Sequence, residues 1–342
     1  MKKLYCLLVM VVVMGLISGC SDSSQGGGDD KKGEKKIPKS MVIVSGNPGG
    51  SVYYVCSGQA QILTERLKDR GITVTVETSS SAPIQNMPFV SDDDSASTMS
   101  LLTLDGFVAG MEGDKRFGFD PNNPIKNVRF VAAGHTTTLY CITLKSSGIK
   151  TIADLKGRKI SVPTVGNSAY FQALGIMEEF GVSAENTNMI PMLYSEAGDA
   201  LKDETIEAIW INGGIPMAAA TDLDMTKNIR FLNVGKEVAT KLTKKNPYWT
   251  MKLLPAGTYK NMTEDTTLMG VYCTISVHEN LDDGLVYEIT KILNETTEQL
   301  TKIHPEGRFW NVEEAQKIID LNIVPVHPGA QKYYNEIKSK KK

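Results

Sequence analysis

An excess of charge of either sign is missing from this sequence. Its 342 residues carry 37 Lys and Arg against 39 Asp and Glu, a formal net charge of -2, and the two signs are well mixed. A nucleic-acid footprint needs clustered basic residues, so that class of partner is excluded. Cysteine is also scarce, with five residues in all. Cys6 and Cys20 belong to an N-terminal segment taken up below. Cys56, Cys141 and Cys273 remain, an odd number that allows at most one disulfide within a chain. Buried free thiols are the expected state. Neither these cysteines nor the four histidines (His135, His278, His304 and His327) stand at a metal-ligand spacing. No Gly-x-Ser-x-Gly elbow precedes a helix. No metal, cofactor or catalytic residue is therefore expected, and a binding protein is preferred to an enzyme.

What is present begins with a targeting segment. Lys2 and Lys3 precede an apolar run from Leu4 to Ile17, and Ser18-Gly19-Cys20 closes it. The run is short for a membrane span, which needs about 20 residues, and it has the build of a secretory signal. It is similar to a bacterial lipoprotein signal over residues 1–19. That implies cleavage before Cys20, lipid on its sulfur and an extracytoplasmic, membrane-anchored location. Ser21 to Lys36 is Ser, Gly, Asp and Lys with almost nothing apolar, so residues 20–40 are expected to act as a flexible tether.

The organising stretch is Met41 to Arg70. An apolar strand, Met41 to Val44, runs into the glycine-rich turn Ser45 to Ser51. A helix follows, with Cys56, Ala60, Leu63 and Leu67 on one face. Ile62 falls off that face and requires a second neighbour. Such a turn gathers unpaired N–H groups and the positive end of a helix dipole, and its glycines let a ligand approach the backbone. An ordinary strand-to-helix connection has the same outline. Ile72, Val74 and Val76 then alternate as a second strand that runs into the hydroxyl-rich loop Thr78 to Pro83, at the strand end where α/β sheets collect ligands. Strands are also expected at Met99–Leu104, Val128–Ala133 and Leu139–Leu144.

The device recurs further on. Strand Lys159 to Val162 leads to Pro163-Thr164-Val165-Gly166-Asn167-Ser168 and a helix ended by Gly181. Two anion-friendly helix N-termini, one in each half, suit a ligand clamped in a cleft. Ile206 to Ile211 is a strand ending in Asn212-Gly213-Gly214, with Trp210 placed to wall a cleft or, by default for a lone aromatic, to pack. Leu268 to Val277 is expected to return the chain to the first half. Asp282 or Asp283 caps a long helix from Leu285 to Ile303.

Several segments together carry a resemblance. They are Gly49-Gly50, Val76-Glu77-Thr78-Ser79 with Asn86, and Ser147 to Gly157, which contains Asp154-Leu155-Lys156-Gly157. Glu207-Ala208-Ile209-Trp210 with Gly213-Gly214-Ile215-Pro216, and then Leu254-Pro255-Ala256-Gly257-Thr258-Tyr259, follow. His327-Pro328-Gly329-Ala330 with Tyr333, Tyr334 and Glu336 closes the set. In this order the chain resembles the TAXI-type solute-binding proteins of TRAP (tripartite ATP-independent periplasmic) transporters.

The resemblance implies an α/β, two-lobed, periplasmic-binding-protein-like (type II) clamshell with a hinge and a cleft ligand site. Residues 41–140 and 270–342 would form lobe 1, and 141–269 lobe 2. It further implies a receptor that hands a small carboxylate or amino acid, such as glutamate or 2-oxoglutarate, to a membrane permease driven by an ion gradient. The implied ligand residues are Gly50, Ser51, Tyr53, Ser79, Ser80, Ser81, Asn86, Asn167, Ser168, Trp210, Gly213 and Gly214. The chain departs from the family at three loops. It reads Gly-Gly-Ser-Val-Tyr-Tyr for Gly-Gly-Thr-Tyr, Thr-Ser-Ser-Ser for Thr-x-Gly-Ser, and Gly-Asn-Ser-Ala for Gly-Ser-Gly-Thr. A binding protein of an ATP-driven transporter, or a sensor partner, on the same fold is the alternative.

Overall fold

Ten strands order the structure: β1 (Ser40–Ser45), β2 (Thr73–Thr78), β3 (Thr98–Thr103), β4 (Val128–Leu144), β5 (Lys159–Val162), β6 (Asn188–Pro191), β7 (Ala208–Gly213), β8 (Ile229–Phe231), β9 (Trp249–Leu254) and β10 (Thr266–His278). They come from a computed structural model that describes residues 35–46, 50–79 and 82–340. The expected signal over 1–19, Cys20, the tether up to residue 34, and Ser80 and Ser81 lie outside the described residues.

The strands align as β2-β1-β3-β10-β4-β7-β5-β6, with β8 on β4 and β9 on β10. β1 lies parallel to β2 and β3, and β5 parallel to β6 and β7. β3 is buried at every position, as its apolar run requires of a central strand, whereas β2 at the edge alternates at its start. β4 and β10 are antiparallel to each other and long, 17 and 13 residues. β10 pairs with β3 through Cys273–Val277 and with β9 through Thr266–Val271. β4 pairs with β7 through Thr138–Thr143. Two neighbouring strands thus join one set of parallel strands to the other, and the chain is a two-lobed mixed α/β protein. The sequence suggests separate strands at Val128–Ala133 and Leu139–Leu144. They are one strand, because β10 runs beside Val128–Leu139 and β7 takes over at Thr138–Thr143.

Among the described residues eleven α-helices cover the sheet: α1 (Ser51–Arg66), α2 (Ala82–Ser91), α3 (Leu104–Glu112), α4 (Ser168–Glu179), α5 (Tyr194–Lys202), α6 (Ala218–Thr226), α7 (Lys236–Lys245), α8 (Asp283–Glu295), α9 (Thr297–Ile303), α10 (Val312–Leu321) and α11 (Pro328–Lys340). α1 packs on β2 on one side and on α8 and α9 on the other. That second neighbour explains why Ile62 is buried as fully as Leu63. At Gly58 the approach of α9 is close, since an added Cβ would meet Leu300 Cδ1 at 2.7 Å.

The single helix expected from Leu285 to Ile303 is two. Thr296 takes φ -106° and ψ 22°, off helical values, and its hydroxyl donates back to Ile292 O at 2.7 Å. Thr297 Oγ1, at the start of α9, instead donates to Trp310 O at 2.6 Å. Asp282, not Asp283, caps α8 by accepting from Leu285 N at 2.8 Å. Cys56, Cys141 and Cys273 are free and buried. Among the described residues no helix is long and apolar enough to cross a membrane.

Candidate functional site

The carboxyl ends of β1, β2, β3 and β7 open on a cleft of about 610 Å³. Ligands collect at such strand ends because the helices that follow turn their N-termini there. One wall is built from Gly46, Gly50, Ser51, Val52 and Tyr54 at the start of α1, with Ser79 after β2, Thr103 at the end of β3, Thr137 from β4, and His304. The other wall is Asn167 before α4, Leu193 to Ser195 at the start of α5, Asn212 to Gly214 at the end of β7, and Pro216 to Ala219 entering α6.

Four helix N-termini therefore face this space, and they are not equivalent. Asn167 caps α4 by accepting from Ala169 N at 2.9 Å, and Glu196 reaches back to Leu193 N at 3.3 Å on α5. Among the described residues α1 and α6 have no side-chain cap and no acid in the first turn. The first N–H groups of a helix lack intrahelical acceptors. Two uncapped positive ends thus face the cleft from opposite lobes.

The loop after β7 is fixed by a chain of hydroxyls. Met217 N donates to Tyr259 Oη at 2.9 Å, Tyr259 to Tyr140 Oη at 3.2 Å, and Tyr140 to Gly214 O at 3.1 Å. Tyr259 is the last residue of the Leu254-to-Tyr259 segment. It sits under the site and does not line it. The His327-to-Glu336 segment lies elsewhere still. Tyr334 donates to Val131 O at 2.9 Å, and Gly329 presses on α8, where an added Cβ would meet Asp283 O at 2.1 Å.

The lobes touch at several points, and three of them involve polar or glycine contacts beside the cleft. An added Cβ on Gly214 would lie 2.8 Å from Ser51 Oγ and 3.2 Å from Glu306 Cγ. Ile215 N donates to Glu306 Oε1 at 2.9 Å. Asp105, at the start of α3, accepts from Ser168 Oγ at 2.5 Å and from Trp249 Nε1 at 3.4 Å. Burial pushes both carboxyls above their usual range. At Asp105 the donors from Ser168, Gly106 N and Trp249 oppose that rise, and at Glu306 the Ile215 N–H and the charge of Lys252 do so.

Of the residues singled out from sequence, Gly50, Ser51, Ser79, Asn167, Gly213 and Gly214 line the cleft. Tyr53 does not; one helical step turns Tyr54 to the wall in its place. Asn86 is fully buried beneath the floor, its Nδ2 donating to Ser45 O at 3.2 Å and Leu101 O at 3.0 Å, which ties the end of β1 to β3. Trp210 is 1% exposed and packs in the core opposite Cys141 of β4. Ser168 turns its hydroxyl to Asp105, away from the cleft. Ser168→Ala is accordingly expected to lower stability by about 1–3 kcal/mol, since a buried carboxylate loses a donor. Thermal melting checks this, and an unchanged melting temperature would show that the contact contributes nothing.

Asn212, in the Asn212-Gly213-Gly214 turn, lines the cleft as well; Thr137, Tyr194 and His304 also line it and are not singled out by the sequence. Thr137 is 6% exposed and its hydroxyl has no partner among the described residues, nor has the buried hydroxyl of Ser51. Tyr194 donates to Asn212 Oδ1. His304 stacks on Tyr54, with ring centroids 6.1 Å apart, and its Nδ1 accepts from Glu306 N at 3.2 Å. Burial depresses its pKa, so the ring is neutral with the proton on Nε2. One signal was available for Thr137. Thr136-Thr137-Thr138 is a hydroxyl triplet inside a strand otherwise apolar enough to be buried on both faces.

The model of the NMT1-like family matches residues 43–337. Among solved structures, the periplasmic binding protein BugD is similar at 12% identity and TM-score 0.52, covering 89% of this chain and 98% of its own. MatC from Rhodopseudomonas palustris, with bound malate, is similar at 12% identity and TM-score 0.52, covering 88% and 98%. XAC2383 from Xanthomonas citri, bound to a chloride ion, gives 9% identity and TM-score 0.51, covering 87% and 100%. At these identities the likeness is one of fold.

Proposed function

The chain belongs to the NMT1-like family, and from that premise we propose that it is an extracytoplasmic solute receptor of the TRAP type. It is lipid-anchored through Cys20 and captures a small carboxylate or amino acid of the glutamate or 2-oxoglutarate kind. The observation that carries this reading is the cleft itself, where uncapped N-termini of α1 and α6 face one space from opposite lobes. Hydrogen bonds from neutral donors to a charged acceptor are strong enough to hold a carboxylate without arginine. Only the closed arrangement presents both walls to one ligand, so binding and closure are linked. A permease can then recognise the closed form and take up its cargo at the expense of an ion gradient.

The test is thermal melting of the full chain in detergent against dicarboxylates, 2-oxo acids and amino acids, because a ligand that binds only the native state raises the melting temperature. At a ligand concentration of 100 Kd the stabilisation is about 2.7 kcal/mol. A rise with one of these solutes is expected. A melting temperature unmoved by the whole panel would refute the proposed ligand class. Uptake of that solute by vesicles holding the permease should follow the ion gradient and ignore ATP.

A further inference from the structure

We propose that the cleft selects for acids that carry no ammonium group, preferring a carboxylic or 2-oxo acid to the amino acid of the same skeleton. This rests on the receptor reading and narrows its ligand.

The argument is a count of donors against acceptors. Facing the cleft are the uncapped N-termini of α1 and α6, whose first N–H groups have no acceptor within the helix. The hydroxyls of Ser51 and Thr137 are buried and have no partner among the described residues. A buried polar group left unpaired is costly, so these point to something the ligand supplies. The two amides beside them have their oxygens already engaged, Asn167 with Ala169 N and Asn212 with the Tyr194 hydroxyl. Each oxygen is thus partly spent, and the N–H groups of Asn212 remain to offer.

The acceptors nearby are engaged in the same way. Gly214 O receives the Tyr140 hydroxyl, and Gly50 O receives the N–H groups of Tyr53 and Tyr54. Met217 O receives both the N–H and the hydroxyl of Thr221. Among the described residues lining the cleft there is no Asp, Glu, Lys or Arg. The two buried acids close by, Asp105 and Glu306, hold donors of the opposite lobe. Carboxylate oxygens would satisfy this surplus of donors. An ammonium would bring three more donors and a positive charge to the positive ends of two helices, with no free acid to receive it. The rest of the wall, including Val52, Leu101, Leu193 and Met217, is apolar and suits a plain carbon skeleton.

Calorimetric titration of the full chain with matched pairs tests this: succinate and aspartate, 2-oxoglutarate and glutamate, hexanoate and norleucine. In a pair that binds, the acid without the amine is expected to bind about 100-fold tighter, the scale of a site rejecting a group whose hydrogen bonds it cannot make. Thr137→Val keeps the shape of the side chain. It should weaken the favoured acid about tenfold, one hydrogen bond to a charged group, without lowering the melting temperature. An amino acid binding as tightly as its deaminated partner would overturn the inference and leave the receptor reading standing. Unchanged affinity in Thr137→Val would overturn the placing of the anionic head against that hydroxyl. No binding by either member of any pair would refute the proposed ligand class and this inference with it.

Discussion

Gly214→Val is expected to raise the dissociation constant of the bound solute by at least about 100-fold while both lobes stay folded. Gly214 is the point where the loop after β7 meets the start of α1. An added Cβ would lie 2.8 Å from Ser51 Oγ and 2.9 Å from Ser51 Cβ, and Glu306 Cγ stands at 3.2 Å on another side. Valine brings two further methyl groups to a place that lacks room for one. The backbone at Gly214 is not in the left-handed region, so the cost is collision and not strain of the main chain. Collision between lobes can be relieved by opening about β4 and β10, whereas collision within a core cannot. The substitution should therefore act on the open–closed equilibrium. If the competent closed form falls to about 1% of the population, the apparent dissociation constant rises about 100-fold. Titration with the solute found for the parent chain measures this, and a melt of the ligand-free variant shows that the lobes persist. Parent-like affinity would mean that closure does not need Gly214 and Ser51 in contact.

The same position shows what the sequence makes legible. A strand, a glycine-bearing turn and an uncapped helix occur together in Met41 to Arg70, and the chemistry of that junction depends on neighbours in sequence. Gly50 and Ser51 could be read from it, and Asn167 and Gly214 from the matching junctions in the second lobe. Residues whose role depends on a distant partner could not be read that way. Ser168 is as good a cap or ligand donor as Ser51 by local pattern, but its acceptor, Asp105, is 63 residues away. Asn86 has the side chain of a ligand residue and serves as a clip between β1 and β3. His304 follows α9, and the apolar positions Leu285, Ile289, Ile292, Leu293 and Leu300 hide the break between α8 and α9 at Thr296.

The residues of the resemblance divide along the same line. Gly213 and Gly214 line the site, whereas Tyr259 acts at one remove through the hydroxyl relay, and Tyr334 and Gly329 hold α11 to the body of the protein. A family pattern therefore locates a fold more surely than it locates a ligand. The donor surplus of the cleft becomes visible only when the partners of Asn167, Asn212 and Gly214 are known.

Acidification from pH 7 to pH 5 is expected to destabilise the native chain by about 4 kcal/mol through two histidines that the ligand site does not use. His135 is 1% exposed and His327 is fully buried. His135 Nδ1 accepts from Trp310 Nε1 at 3.1 Å, and His327 Nδ1 accepts from Gly329 N at 3.2 Å. Each ring is thus held neutral, with its Nε2 buried and unpartnered. Burial, helped by the charges of His304 and Lys252, pulls His135 down to about 3. Burial and Lys35 pull His327 down to about 4, against the opposing charge of Asp283.

In the unfolded chain both titrate near the ordinary value of about 6.5. As pH falls below that, the unfolded state takes up protons that the folded state refuses, so stability drops. The slope is about 1.4 kcal/mol per pH unit for each ring, or about 2 kcal/mol each by pH 5. The loss from His327 levels off near pH 4 and that from His135 near pH 3. Asp105 and Glu306 act in the opposite sense, because carboxyls raised by burial hold protons more firmly in the folded state and gain stability as pH falls. Urea unfolding at pH 7 and pH 5 measures the sum. The double variant His135→Asn with His327→Asn isolates the histidines, since the Asn side-chain oxygen can accept where Nδ1 does and takes up no proton. The parent should lose more stability over this range than the double variant, which keeps His278 and His304 with their lowered pKa values. Equal losses in both would place the acid sensitivity elsewhere in the chain.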